Sequence, residues 1–553
     1  MDRAPEREKS HHNLRLLATL AASATCLYFF LAGLAFLAKT GVENDETIFA
    51  MAFLKPFGGT AIRIGHSRIP LMIMSYIGTL KAWIYRPIFR IFGTGILVIR
   101  LPMLLAGVAS VWLFFLFLRR IAGQRAAVIG CALLAVDSSY LLTICYDWGP
   151  VALQHLLLVA GLYLLVRFYQ QRTHGALFWG CFVLGLGLWD KALAVWMLSG
   201  IGVAAVAVFS RRILALLTKG RFAIAVLGFL LGALPLEVYN VENDWITFGG
   251  NFKKDTSDIP GKARMLMNTA RGGGLFGWMF DEGWQTPAPH APQGLVQKAS
   301  AEISSLAGHP RQHLLFHAFL LALVLAPLAR GDALRTVVFA LLAMAVAWVQ
   351  MAITASAGGS VHHTILLWPF PQLVVAVSLA AASRRLGRAG IPALAVAGAA
   401  LTISGVLVTN EYHYVSFRYG GAPVWSEAVF TLADYMKGVH AGNIYCVDWG
   451  IFDSLRLLDR GKLPLADGSD PIAKPELSPE DRQQVERMVA EPGAVFIAHT
   501  KDFENFAGVN EKLVRFAAQA GRQREMIAVI PDTYGRKAYE VYRLSGTQPD
   551  LAR

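Results

Sequence analysis

Long apolar segments recur along the first 409 residues of this 553-residue chain. A helix that crosses a bilayer needs about 20 mostly apolar residues, and eleven segments come close to that length or exceed it. Only 16% of the residues are charged, whereas soluble domains have about 25%. The sequence therefore predicts a multi-span α-helical membrane protein and excludes a disordered chain or a conventional soluble enzyme. The predicted spans cover approximately residues 14–38, 98–118, 126–144, 151–168, 176–190, 193–210, 222–238, 313–329, 335–355, 363–382 and 390–409.

Clusters of Lys and Arg in the short connections between the spans predict the orientation. Short basic loops stay on the cytoplasmic side of a membrane, and alternating spans bring all these clusters to one side. We therefore expect a multi-pass protein of the cell inner (plasma) membrane with a cytoplasmic N-terminus. The outer face then receives the long loops 39–97 and 239–312 and the C-terminal segment. The clusters are Arg119, Arg120 and Arg125; Arg167 and Arg172; Arg211, Arg212, Lys219 and Arg221; Arg330 and Arg335; and Arg384, Arg385 and Arg388.

The last part of the chain has a different pattern, which divides the protein into a transmembrane domain (1–409) and an extracytoplasmic domain (410–553). Mixed strands and helices at short spacing predict a small α/β domain there. The predicted strands are 444–447, 494–498, 526–530 and 538–542, and the predicted helices are 427–437, 479–490 and 510–520.

The net charge is +13, which raises the question of an anionic partner. Because the basic residues lie between apolar segments, membrane lipids explain them better than nucleic acid does. Loop 39–97 is basic although it is predicted to lie outside, and a phosphate ligand would explain this departure. Its stretches 46–56 and 69–92 are apolar with interspersed charge, so we expect helices that lie in the membrane interface.

Three acidic residues lie at the outer edge of the predicted spans. Asp45 and Glu46 follow the first span, and Asp147 lies in a very short turn between two spans. They could simply mark the water boundary and cap the next helices. If they face one cavity, they could instead divide base and orienting roles, or Asp45 and Asp147 could bind a divalent metal ion.

Basic residues near the same edge are candidates for binding a phosphate group. A cation near the membrane is costly unless it is paired, so an anion is expected nearby. Three of these residues could instead have a purely structural role. Arg100 could anchor its span in the membrane interface, Lys191 could form an ion pair with Asp190, and His66 could be an ordinary loop residue. The candidates are Arg63, His66, Arg68, Lys81, Arg100, Lys191 and His363.

The order of these features resembles the GT-C glycosyltransferases, in the branch that contains protein O-mannosyltransferases and the lipid A aminoarabinose transferase. The resemblance covers about residues 14–409 and depends on order and spacing rather than on one specific motif. The features are Asp45-Glu46, His66 with Pro70-Leu71, Arg100-Leu101-Pro102 with Gly107, Arg119-Arg120, Asp147, Gly185-Leu186-Gly187 with Lys191, Pro235 with Tyr239-Asn240, and Thr247-Phe248.

The resemblance implies a sugar donor linked to polyprenyl phosphate and transfer to a protein, lipid or glycan acceptor on the outer face. It implies that Asp45 is the catalytic acid/base, and that Glu46, Asp147 and Arg100 shape the site. The main alternative is a polytopic transporter or lipid flippase, which would predict paired repeats and charges at mid-span. The sequence has no convincing repeat, and its ionisable residues cluster at one face.

Overall fold

The structure is a computed structural model that describes residues 4–54, 58–280 and 289–546, with side chains from residue 13 onward. Helices dominate the part up to residue 419. They are α1 (Ala4–Leu34), α2 (Asn44–Ile48), α3 (Leu80–Phe92), α4 (Ile96–Ile121), α5 (Gln124–Ala135), α6 (Ser138–Tyr146), α7 (Ala152–Gln171), α8 (His174–Asp190), α9 (Ala194–Leu216), α10 (Lys219–Glu242), α11 (Ile246–Gly249), α12 (Ile259–Ala270), α13 (Gly294–Leu306), α14 (Leu315–Leu325), α15 (Asp332–Ile353), α16 (Val361–Thr364), α17 (Phe370–Arg385) and α18 (Gly390–Tyr419).

Every predicted span coincides with helical structure, although not all of these helices are long enough to cross a membrane alone. In the described ranges, eight helical segments have the length and composition of a span. The pair α5 and α6 would make a ninth and is bent by 60°. Helix α8 has 17 residues, and residues Leu315–Leu328 form a shorter apolar segment. The prediction of a multi-span helical membrane protein is confirmed.

A buried acid breaks the predicted span 126–144 into α5 and α6. The Asp137 carboxylate caps α6 by accepting a hydrogen bond from the Tyr140 backbone N–H at 3.0 Å. Its second oxygen accepts from Trp368 Nε1 at 2.7 Å and from Gln372 Nε2 at 2.9 Å. A side chain that caps a new helix ends the old one, and apolar periodicity does not reveal such a break.

Glycines allow two spans to approach closely. A Cβ atom on Gly185 of α8 would lie 2.2 Å from the Phe229 carbonyl oxygen of α10, and one on Gly232 would lie 2.1 Å from the Phe182 oxygen. Small residues at such crossings let helix backbones pack directly in a membrane. This pairing fixes the end of α8, where Lys191 lies.

The long loop between α1 and α4 contains a small antiparallel sheet of β1 (Thr60–Ile64), β2 (Ser67–Met74) and β3 (Ile77–Gly78), in that order. The prediction of an interfacial helix over 69–92 is therefore wrong for its first half, and only α3 is helical there. Residues 67–74 pair with β1 through a tight turn in which Gly65 has φ +59°. The backbone groups of residues 67–74 are therefore paired with β1 and do not form the hydrogen bonds of a helix.

The C-terminal segment is a small α/β domain, as predicted. Its five-stranded sheet has the order β5-β4-β6-β8-β7, in which β4, β5 and β6 are parallel and β7 and β8 are antiparallel to their neighbours. The strands are β4 (Ile444–Cys446), β5 (Leu465–Asp467), β6 (Val495–His499), β7 (Arg522–Pro531) and β8 (Lys537–Gly546); the helices are α19 (Ala428–Met436), α20 (Ile451–Leu458), α21 (Ser469–Ala473), α22 (Pro479–Ala490) and α23 (Val509–Gln519).

The C-terminal domain packs directly on the long loop between α1 and α4. Ser454 of α20 donates its hydroxyl hydrogen bond to the Val42 carbonyl at 2.7 Å, and Thr94 donates to the Leu457 carbonyl at 2.6 Å. The Gly41 backbone N–H donates to the Trp425 carbonyl at 2.8 Å. Helix α20 therefore covers the segment that carries Asp45 and Glu46.

Candidate active site

The two acids after the first span lie in the first turn of the short helix α2. Glu43 precedes this helix, and its Oε2 accepts hydrogen bonds from the backbone N–H groups of Asp45 at 2.7 Å and Glu46 at 3.3 Å. The first N–H groups of a helix have no partner within the helix, so a side-chain acceptor stabilises its start. Glu43 thus fixes where α2 begins and which way its acids point.

Glu46 is buried and paired with Arg100 at the start of α4. The guanidinium makes two contacts with the carboxylate, at 2.5 Å from Nε and 2.8 Å from Nη2. It also donates to the carbonyls of Leu37 and Gly41, at 2.6 Å each, and lies 4.6 Å from the centre of the Tyr146 ring. Arg100 therefore joins the end of α1, helix α2 and helix α4.

Lys81 links Asp147 to Glu46. Its ammonium group lies 2.6 Å from Asp147 Oδ2 and donates to the Glu46 carbonyl at 3.1 Å, and both side chains are buried. Asp147 also accepts from the Ala152 backbone N–H at 2.8 Å, at the start of α7. Asp147 thus supplies an acceptor at the start of α7, although the N-cap residue of that helix is Val151 and Asp147 itself ends α6. The ion pair joins Asp147 to Lys81.

Asp45 differs from the other two acids. Its side chain is half-buried, and among the described residues its carboxylate has no hydrogen-bond partner. Burial raises the pKa of this carboxyl above its ordinary value, and the nearby positive charges of Lys191 and Lys81 oppose that shift. Of the three predicted acids, Asp45 is the one with neither an ion pair nor a hydrogen bond to its carboxylate in the described part of the chain.

Lys191 approaches Asp45 from the end of α8. Its ammonium group is buried and donates to the Gly149 carbonyl at 2.5 Å, and its backbone forms an antiparallel bridge with Ile77. The neighbouring Asp190 accepts instead from Gln154 Nε2 at 2.9 Å. In the part of the chain that the structure describes, no ion pair joins Asp190 to Lys191.

The two adjacent histidines lie beside the turn that receives Lys191. The His362 ring contacts the Trp148 ring, with centroids 4.4 Å apart. His363 lies 6.3 Å from the Trp196 ring centre, and its Nδ1 is 3.0 Å from Ser360 Oγ. The structure therefore brings together Asp45, Glu46, Lys81, Asp147 and Lys191, with the histidines at their margin.

The other predicted phosphate-binding residues lie in a separate cleft. Arg63, His66 and Arg68 are on the exposed β1–β2 hairpin, and they line a cavity of about 1040 Å³ together with α3 and residues 50–54. Asp45, Lys81 and Lys191 do not line it. The single predicted set of donor-phosphate residues thus falls into two places.

Known structures provide an independent comparison for this architecture. ArnT from Cupriavidus metallidurans bound to undecaprenyl phosphate superposes with a TM-score of 0.58 over 95% of this chain and 97% of its own, at 12% identity. The apo form of the same protein gives a TM-score of 0.56 over the same shares, at 14% identity. The chain has a GT-C glycosyltransferase fold.

Two further comparisons agree with this GT-C fold. Residues 78–239 match the family model described as dolichyl-phosphate-mannose-protein mannosyltransferase. The oligosaccharyltransferase from Archaeoglobus fulgidus, tethered with an acceptor peptide, gives a TM-score of 0.50 over 96% of this chain and 74% of its own, at 11% identity. A comparison with proteins of curated function finds no match. The resemblance to GT-C glycosyltransferases is confirmed.

Tyr76 and Lys262 are two polar residues that were not predicted from the sequence. Burial, and then the charge of Asp45, raise the pKa of the Tyr76 phenol. Lys262 is buried and donates to the carbonyls of Ala352 at 3.0 Å and Thr354 at 2.7 Å, at the end of α15. Each is a single residue in a long loop and belongs to no spaced motif, so the sequence pattern does not indicate a functional role for it.

The predicted metal pair Asp45 and Asp147 has a competitor in Lys81. In the described ranges no group of three or more His, Cys, Asp or Glu side chains could hold a metal ion. The Lys81 ammonium lies against Asp147 Oδ2, and the second Asp147 oxygen accepts from the Ala152 N–H. A divalent cation that bridged the two acids would have to displace Lys81 from Asp147, so this arrangement does not fit a bridging metal.

Proposed function

We propose that this protein transfers a sugar from a polyprenyl-phosphate donor to a protein, lipid or glycan acceptor at the outer face of the membrane. The observation that carries the proposal is the carboxylate of Asp45. This carboxylate has no hydrogen-bond partner in the described part of the chain and lies near the positive charges of Lys81 and Lys191. The chain that carries it has a GT-C fold. Only part of this side chain is exposed.

In the proposed reaction, Asp45 accepts the proton of the acceptor hydroxyl group. The acceptor oxygen then bonds to the sugar carbon that is linked to phosphate. The bond from that carbon to the phosphate oxygen breaks, and the electron pair leaves with polyprenyl phosphate. In-line attack predicts inversion at the sugar carbon. A positioned base contributes about 10²–10⁴-fold to such a rate.

Lys81 and Lys191 supply the positive charge that the leaving phosphate needs. Both ammonium groups are buried, where water screens charge weakly and electrostatic stabilisation is strong. Glu46 and Arg100 are positioning residues in this proposal, because their polar atoms bind each other and the backbone rather than facing a cavity. Asp147 orients Lys81 through their ion pair.

An apolar groove is consistent with a lipid-linked donor. It has a volume of about 340 Å³ and lies between α12, α14, α15 and α17, with Met267, Phe319 and Trp348 among its lining residues. Because lipid tails are as apolar as this groove, a polyprenyl chain would be held there by van der Waals packing rather than by removal of its surface from water. The structurally similar ArnT is described as bound to undecaprenyl phosphate.

The experiment uses the purified full chain in lipid nanodiscs with a polyprenyl-phosphate sugar labelled in the sugar. Glycosyl transfer releases free polyprenyl phosphate and moves the label to an acceptor. A transporter or flippase would move the intact lipid across the bilayer and release none. The same assay with EDTA, followed by added Mg²⁺ or Mn²⁺, tests the divalent metal. We expect the reaction to continue in EDTA because Lys81 contacts Asp147; loss with EDTA and recovery with metal would restore the metal proposal.

A further inference from the structure

The cleft at the first outer loop is strongly basic and is separate from the cluster around Asp45. Five arginines line it, and among the described lining residues there is no Asp or Glu. Four of the five are exposed, and Arg86 is half-buried over the Phe53 ring at 4.6 Å. The five are Arg63, Arg68, Arg86, Arg90 and Arg460.

The arginines of this cleft concentrate positive charge in one place. Arg63 and Arg68 are direct cross-strand neighbours in the β1–β2 hairpin, a position where like charges destabilise a sheet. No ion pair joins Arg63, Arg90 or Arg460 to an acidic side chain in the described ranges. Such a concentration of like charge is stabilised when an anion binds.

Two separate parts of the chain build the cleft. Arg63, Arg68, Arg86 and Arg90 come from the first outer loop, and Arg460 follows α20 of the C-terminal domain. The Arg460 guanidinium packs against Gly93, where a side chain would obstruct it: a Cβ atom at Gly93 would lie 2.8 Å from Arg460 Nη2. Gly93 also has φ +75°, which favours glycine. An anion in the cleft would therefore contact both domains.

The rim of the cleft is apolar. Ile91 and Phe92 at the end of α3 line it and are 72% and 70% exposed. Exposed apolar side chains beside cations are typical of a surface that lies in the membrane interface and attracts anionic lipid. The volume of about 1040 Å³ is at the upper end for ligand pockets, so the cleft has room for more than one phosphate group.

We propose that this cleft binds the headgroup of an anionic lipid that carries two phosphate groups, and that the bound lipid bridges the first outer loop and the C-terminal domain. The arginines contact the phosphates, which they can bind in a bidentate manner. Ile91 and Phe92 lie against the acyl chains. This site is distinct from the proposed donor-phosphate contacts at Lys81 and Lys191.

The test measures lipid binding to the full chain in detergent by native mass spectrometry, which is independent of sugar transfer. The probes are cardiolipin with two phosphates, phosphatidylglycerol with one, phosphatidylcholine, and inorganic pyrophosphate. We expect cardiolipin to bind most tightly. The variant Arg86→Gln/Arg90→Gln/Arg460→Gln should weaken cardiolipin binding about 100-fold, at roughly fivefold for each arginine near a lipid surface.

A matched control removes three arginines elsewhere. Arg384, Arg385 and Arg388 are exposed at the end of α17 and in the turn that follows, and their triple Gln variant should bind cardiolipin like the wild type. Asp45→Asn, which addresses the proposed transfer reaction, should also leave cardiolipin binding unchanged.

Four results would overturn the proposal. They are equal losses in the two triple variants, equal binding of all lipids, pyrophosphate binding as tight as that of cardiolipin, and displacement of cardiolipin by equimolar undecaprenyl phosphate. The last would make the cleft the donor site.

Discussion

Replacing Arg100 by Met tests whether this residue holds the site together. The change removes the bidentate contacts with Glu46 at 2.5 and 2.8 Å and the hydrogen bonds to Leu37 and Gly41. It leaves the Glu46 carboxylate buried, with a side chain about 1% exposed. Breaking one side of a buried ion pair costs about 3–5 kcal/mol, because the remaining charge has no partner. We therefore expect a large loss of stability.

The assay is thermal unfolding of the purified protein in detergent, followed by tryptophan fluorescence. Arg100→Met should lower the Tm by several degrees. Arg100→Met/Glu46→Leu should recover part of the loss, since no unpaired charge remains. The matched control is Arg212→Met, which breaks the exposed pair with Asp332 and should leave the Tm near that of the wild type. If Arg100→Met is as stable as the wild type but loses donor binding, Arg100 is a phosphate ligand and not a positioning residue.

Three other predictions concern charge and orientation. Because burial raises the pKa of Asp45, its basic form is lost as the pH falls through that raised value, so the transfer rate should decline at a higher pH than for an ordinary Asp. Lys191→Met removes a charge that lowers this pKa; it should move the acid limb of the pH–rate profile to higher pH and weaken donor binding, and an unchanged profile and affinity would contradict both roles. A reporter fused after Gly421 should be active outside the cytoplasm, and cytoplasmic activity would refute the assignment of the acids to the outer face.

The positions of the spans and the acids could be predicted because they depend on local patterns. A run of about 20 apolar residues indicates a membrane-spanning helix without reference to the rest of the chain. An acidic residue beside the end of such a run is visible in the sequence. Asp45, Glu46, Lys81, Asp147 and Lys191 were all predicted and do lie together. Their separate roles were not predictable, because they depend on which residue pairs with which.

The missed features depend on contacts between distant segments. The predicted donor-phosphate set treated Arg63 and Lys81 alike, since both are basic residues of one loop. The hairpin turns Arg63 toward the exposed cleft, whereas α3 turns Lys81 inward to Asp147. Arg460 joins that cleft from about 400 positions further along the chain, and no local pattern predicts such a contact.

The turnover of Asp45→Asn tests the central claim most directly. Asn keeps the shape of the side chain and removes the charge, so folding should be preserved while the rate of polyprenyl-phosphate release falls about 10²–10⁴-fold. The matched control is Asp244→Asn. Residues 241–244 repeat the Val-Glu-Asn-Asp sequence of residues 42–45, and Asp244 is exposed after α10. The account predicts wild-type turnover for Asp244→Asn and the large loss for Asp45→Asn alone. Wild-type turnover in Asp45→Asn, with the same Tm as the parent protein, would contradict it.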